Sequence, residues 1–172
     1  MSKRRIVNVS KPRQRDLATQ FPWLMDIDLK KRREDVQMLS VSVFDHWLSN
    51  EEAHERLENV SAEEQARRDA LLTDFCSRMT AGTEVVSFAS RGRRFPRIIF
   101  RRFLSNEVVS KYCRPGGGKV FRHYHFHVVL PELDCALYES WDDTYHFFFK
   151  RPGIEDAARA WASQSGVYLL GA

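Results

Sequence analysis

At Gly82 the hydrophobic period of this chain changes, and that change confines it to one class of fold. Before it, apolar residues recur at helical spacing. After it, they come in short alternating runs punctuated by Gly, Pro and Asp. Helices first and strands afterwards predict an α+β fold, with N-terminal helices packed on an antiparallel β-meander of four to five strands and a C-terminal helix. A length of 172 residues suits one domain with a real core. The expected organisation is a basic flexible arm over 1–20 and a single domain over 21–172, helical to 82 and sheet plus C-terminal helix from 83.

The helical half begins with an apolar plug, Phe21-Pro-Trp-Leu-Met25, expected to pack on the domain. Val36, Leu39, Val43 and Trp47 fit a helix over 33–48, and a short second helix is expected over 51–57. Ser61 and Glu64 have capping-box spacing and open a third helix carrying Ala66, Ala70, Leu71, Phe75 and Met79, with Gly82 as a left-handed stop. In the second half, strands are expected over 84–89 and 97–104. A short helix is an option over 105–113, and 114–118 is a loop. Three strands follow over 119–130, 135–141 and 144–150. The last of these is apolar on both faces, hence central. A helix over 154–163 and an apolar end over 167–170 complete the chain.

The net charge is only +4, but arginine is unevenly placed. Arg91, Arg93, Arg94, Arg97, Arg101 and Arg102 fall within twelve residues, and Lys3, Arg4, Arg5, Lys11, Arg13 and Arg15 crowd the N-terminus. Clustered arginine suits a polyanion such as RNA or DNA. No apolar run is long enough for a membrane helix, and no signal-peptide pattern is seen at the N-terminus, so a cytoplasmic protein with no membrane partner is expected. Cys76, Cys113 and Cys135 make an odd number without a CxxC pair, which predicts free, buried thiols in a reducing compartment.

The chemistry concentrates in residues 119–130. His123, His125 and His127 alternate, so an unbroken strand places all three imidazoles on one face. A four-residue loop then sets His127 opposite Tyr138 and His125 opposite Ser140. A two-residue loop pairs Trp141 with Thr144 and brings Tyr145 to the histidine face, leaving His146 on the other. A slip of one residue exchanges Tyr145 and His146. The resulting site for RNA cleavage without metal has His123, His125, His127, Tyr138 and Tyr145 as catalytic residues. His125 and His127 form the acid–base pair, and Arg91, Arg93, Arg94, Arg101, Arg102, Lys119 and Arg122 bind nucleic acid. The same pattern allows a second chemistry, in which His125 and His127 hold a zinc or manganese ion. A third possibility is a non-enzymatic module binding nucleic acid or protein through arginine and aromatic side chains.

Ala70–Phe75 with Gly82, then His125-Phe-His127-Val, then residues 136–150 leading to Glu155-Asp-Ala-Ala-Arg159 resemble RelE/ParE-superfamily toxins of the YafO type over about residues 70–160. That resemblance implies a toxin-like endoribonuclease acting on messenger RNA at the ribosome, with a partner antitoxin and no cofactor. His125-Phe-His127-Val-Val-Leu also resembles the metal strand of HUH endonucleases, although the later helix lacks the tyrosine that family uses. The spacing of His125, His127 and Glu132 resembles the first cupin motif, but the second motif is missing. Gly-Gly-Gly-Lys119 lacks phosphate-loop spacing.

Overall fold

A computed structural model describes residues 5–27, 34–92, 94, 96–121 and 123–171, with the side chains of 120 and 121 outside the description. Arg93 and Arg122, both expected to bind nucleic acid, lie outside the described residues. The fold is α+β, as expected, but its sheet is larger than the expected meander. Eight antiparallel strands run in the order β1-β4-β3-β5-β6-β7-β2-β8. They are β1 Ile6–Asn8, β2 Gln37–Ser42, β3 Val86–Arg91, β4 Arg97–Phe103, β5 His127–Leu130, β6 Cys135–Glu139, β7 Thr144–Phe149 and β8 Tyr168–Leu170. Both edges are three-residue strands, which leaves little open ladder for foreign pairing.

Two expectations for the N-terminal half fail. Residues 5–20 are not an arm. Ile6–Asn8 pairs with β4, and Lys11–Gln20 forms helix α1, capped by Ser10 and anchored by buried Leu17. Gln14 fixes that helix to the sheet, its side-chain amide donating to the Phe100 carbonyl at 2.6 Å and accepting from the Phe100 amide at 3.0 Å. Nor do the described residues 34–48 form the helix expected over 33–48. Leu39, Val41 and Val43 also satisfy a period of two, and β2 inserts between β7 and β8. Its serines face the other way, where Ser40 Oγ meets His146 Nδ1 at 2.8 Å and Ser42 Oγ accepts from Thr144 at 3.1 Å. The plug does pack, with Phe21, Trp23 and Leu24 buried.

The remaining helices are α2 Asn50–Glu58, α3 Ala62–Gly82, α4 Asn106–Tyr112 and α5 Ile154–Ser165. Ser61 caps α3 as expected, but the reciprocal capping box belongs to Ser49 and Glu52 at α2. Glu64 turns instead to Arg67 and Arg68. Gly82 ends α3 without a positive φ. That conformation occurs at Gly166, the C-cap of α5.

The sheet carries a core on each face. Under α3 and α5 lie Val41, Val128, Leu137, Tyr145 and Phe147, packed on Leu72, Phe75, Cys76 and Met79, which follow helical spacing along α3. Phe75 meets the rings of Tyr145, Phe147 and Trp161 at 6.1–6.3 Å. Under α1 and the short 3-10 turn after it lie Phe88, Phe100, Val129, Ala136 and Phe148. All six residues of β7 are buried, so that strand is central and covered on both sides. The three cysteines are free and buried. Among the described residues no helix is long and apolar enough to cross a membrane.

Candidate nucleic-acid interface

The histidines do not share a strand face. β5 begins only at His127: before it Phe126 still accepts from the Glu139 amide of β6 at 3.1 Å, but no ladder pairing extends to His123, Tyr124 or His125. β3 pairs with Val128 and Val129 alone. Residues 117–121 instead form a 3-10 turn. Glu139, buried on β6, ties this corner down by accepting from the Gly116 amide at 2.7 Å and the Phe126 amide at 2.9 Å. Burial raises the pKa of its carboxyl, opposed by those two amide bonds. The glycine run serves close packing. A Cβ on Gly117 would sit 2.3 Å from the Tyr112 carbonyl, and one on Gly118 would sit 2.6 Å from the His125 backbone.

Each sequence-predicted residue therefore has its own place. His125 turns toward Glu139, Nδ1 3.8 Å from the carboxylate, with its ring against Tyr124. His127 faces the other side of the sheet, 4.7 Å from the Phe88 ring and 5.9 Å from that of Tyr138. The first hairpin has the expected register, His127 opposite Tyr138. The second is slipped by one. Asp143 adopts a left-handed conformation in a three-residue loop, so Tyr138 pairs with His146 and Glu139 with Tyr145. Tyr145 thus enters the core beside the Cys76 thiol and leaves the site. His125 and His127 do not converge on one ion, and among the described residues no group of three His, Cys, Asp or Glu could hold a metal.

What the structure does assemble is His123, His127 and Tyr112. Tyr112 ends α4, with its hydroxyl 3.0 Å from His123 Nδ1 and 3.4 Å from the His127 amide and carbonyl. The two imidazoles stack at 5.3 Å and 11°. Burial lowers the pKa of both. His123 is lowered further by Arg101 and Arg91, and His127 falls to about 4, helped by His123. Both rings are therefore neutral at pH 7. Tyr112 carried no signal in the sequence reading because it became a site residue only when α4 met the start of β5.

Beside this corner is an open groove of about 700 Å³ lined by Ile6, Asn8, Arg91, Arg97, Ile99 and Arg101. Arg91 and Arg97 are direct cross-strand partners, and Arg101 lies opposite Ser87 and Asn8 on the same face. No carboxylate pairs with any of the three arginines among the described residues. Burial, then Arg91, lowers the pKa of Arg101. Arg102 points to the opposite face, and Arg94 and Lys119 are exposed outside the groove lining. Arg97 belongs to the sequence's arginine cluster, though it is not among the binding residues expected from the sequence. Its place follows from its pairing with Arg91. No protein-family model, no curated protein and no solved structure matches this chain.

Neutral, partly buried histidine has a consequence for stability. An unfolded histidine titrates near 6.5, whereas folded His127 takes its proton only near 4. Between those values the unfolded state binds the extra proton, so stability is full above about pH 6.5 and falls as pH drops to about 4. The loss from His127 reaches about 3 kcal/mol, and His123 and His146, also lowered, act in the same direction. Urea midpoints measured from pH 8 to pH 4 are expected to fall across this window, and His127→Phe is expected to flatten the fall. An unchanged pH profile in that variant would show that His127 is not the neutral buried group.

Proposed function

We propose that this chain binds RNA along the arginine groove and cleaves it by metal-free acid–base chemistry, in the manner of a toxin-like endoribonuclease. The observation that carries the reading is the grouping of Arg91, Arg97 and Arg101 with no carboxylate paired to them among the described residues. Like charges directly across a strand pair destabilise a sheet, so the arrangement costs stability unless an anion occupies it. Successive phosphates of a nucleic-acid strand supply such an anion. An open groove favours single-stranded RNA, whose backbone can follow the sheet.

His123 is the base in this scheme. With its Nδ1 proton donated to Tyr112, its Nε2 is free to accept a proton. The 2′-hydroxyl oxygen attacks the adjacent phosphorus, its proton passes to His123, and the bond to the 5′-oxygen breaks. Solvent protonates that leaving oxygen. The products are a 2′,3′-cyclic phosphate and a 5′-hydroxyl end. Arg101 faces the charge that develops on the phosphorane. Tyr112 is a positioning residue, holding His123 without touching RNA.

The test is cleavage of a single-stranded RNA oligonucleotide in the presence of a chelator, with ribosomes added in a parallel arm. The expected result is cyclic-phosphate product in wild type and His125→Ala, reduced at least about a hundredfold in His123→Ala. Salt-sensitive binding without product in any arm would overturn the enzyme and leave a binding module. Absence of binding would sink the whole reading.

A further inference from the structure

At the other side of the strand order, where β2, β7 and β8 meet, is a second cavity of about 170 Å³, lined in part by Phe44, Trp47, Trp141, Asp142, Ser42 and Thr144. Its aromatic rim is unusually open, with Trp141 72% exposed and Trp47 46% exposed. Asp142 is the polar feature that needs explaining. Its Oδ1 is buried with no hydrogen-bond partner among the described residues. An unmet carboxylate oxygen in such a place is costly, and native structures supply it with a donor.

The next residue shows what that donor can be. Asp143 accepts from Arg68 Nη1 at 3.2 Å and from Gln65 at 3.2 Å, and the same Arg68 guanidinium lies 4.9 Å from the centre of the Phe44 ring. One carboxylate of the turn thus has a guanidinium lying over an aromatic ring. The adjacent carboxylate, Asp142, shares a cavity lining with Trp47 and Trp141, and no guanidinium bonds its Oδ1 among the described residues. We propose that the cavity formed by Trp47, Trp141 and Asp142 binds a guanidinium group, which stacks on the indoles and donates N–H to Asp142.

Other occupants fit less well. A metal ion lacks its ligands, since no group of three His, Cys, Asp or Glu gathers among the described residues. A quaternary ammonium suits tryptophan but has no proton for Asp142. Guanidinium satisfies both, because it is planar, stacks, and presents a fork of donors. At about 170 Å³ the space takes a head group and not a whole drug-sized ligand. His46 also lines the cavity, but its imidazole lies between Asp45 and Glu52, 2.6 and 2.9 Å away, so its charge is matched by theirs, while Arg56 and Arg68 lie over the Phe44 ring, 5.9 and 4.9 Å from its centre.

Tryptophan fluorescence of the full chain, titrated with ethylguanidinium, reads this directly. A saturable change is expected, at least roughly tenfold weaker for tetramethylammonium and for the Asp142→Asn variant with wild-type melting temperature. Trp141→Leu, at an exposed position, is expected to weaken binding independently of Asp142. N-acetyl-arginine amide binding more tightly than ethylguanidinium supports the site and assigns it an arginine side chain of a partner protein. Equal or weaker binding supports it with a free guanidino compound as ligand. No saturable change, tetramethylammonium binding equally well, or unaltered affinity in Asp142→Asn would overturn the proposal. RNA binding is measured separately and does not bear on this result.

Discussion

Replacing Arg91, Arg97 and Arg101 together by alanine is expected to weaken RNA binding on the order of a hundredfold at physiological salt, while leaving the fold as stable or more so. The two effects have one cause. These side chains share a groove face, and Arg91 and Arg97 are directly opposed. Without bound anion they repel each other, and alanine relieves that repulsion. In the proposed RNA complex they would displace counterions from the phosphates, about 0.7 per contact on a single strand. The slope of log affinity against log salt is therefore expected to become shallower by about 2 in the triple variant. Arg102→Ala, on the other face of β4, is the control and is expected to change binding little. Filter binding across a salt series and a thermal melt of each variant check both halves. A triple variant that binds RNA with the wild-type salt slope would falsify the groove assignment.

Gly117→Ala is expected to be the most damaging glycine-to-alanine change among Gly82, Gly116, Gly117, Gly118, Gly153, Gly166 and Gly171, at about 3 kcal/mol. Its Cβ would lie 2.3 Å from the Tyr112 carbonyl and 2.7 Å from that of Lys111, both backbone atoms at the end of α4. They can retreat only by moving the helix end, and Tyr112 leaves His123 and His127 with it. Gly118→Ala is expected to follow closely, since its Cβ would lie 2.6–2.8 Å from the backbone of His125 and Phe126. Gly116→Ala is the informative contrast. Gly116 has φ +66° but open space around it, so only the left-handed strain of roughly 1 kcal/mol is at stake. Urea denaturation of the three variants should rank Gly117 and Gly118 well above Gly116. If all three cost the same, the run acts through chain flexibility and not through close packing.

These glycines show how the sequence could mark a place without revealing its geometry. The Gly run was legible as a loop, and the histidine run after it as a concentration of chemistry. The alternation of 119–130 also pointed to a strand, but a strand exists only where a neighbour supplies hydrogen bonds. The ladders with β3 and β6 cover residues 127–130, and at Phe126 they give way: its carbonyl still accepts from the Glu139 amide, but its own amide donates to the Glu139 carboxylate. His123 consequently meets Tyr112, His125 meets Glu139, and the expected acid–base pair of His125 and His127 is divided between two sides of the sheet.

What the sequence determined by itself was local. The spacing of Ala66, Ala70, Leu71, Phe75 and Met79 points to α3 and Ser61 to its start, although the face that packing buries is Leu72, Phe75, Cys76 and Met79, with Ala66 and Ala70 exposed. The short loop after Leu130 fixes the pairing of Leu130 with Cys135 and of His127 with Tyr138. Each of these rests on interactions among residues near one another in the chain. The tertiary structure alone decided the rest. Leu39, Val41 and Val43 fit either period, and pairing with β7 more than a hundred residues away selected the strand. Residues 6–8 became an edge only because β4 offered a ladder. Asp143 at φ 55° shifted the second hairpin by one residue, exchanging Tyr145 for His146. The arginine groove has both origins: β3 and β4 form a local hairpin that sets Arg91 against Arg97, but β1 comes from a distant stretch of sequence and joins their face only once its ladder with β4 has formed.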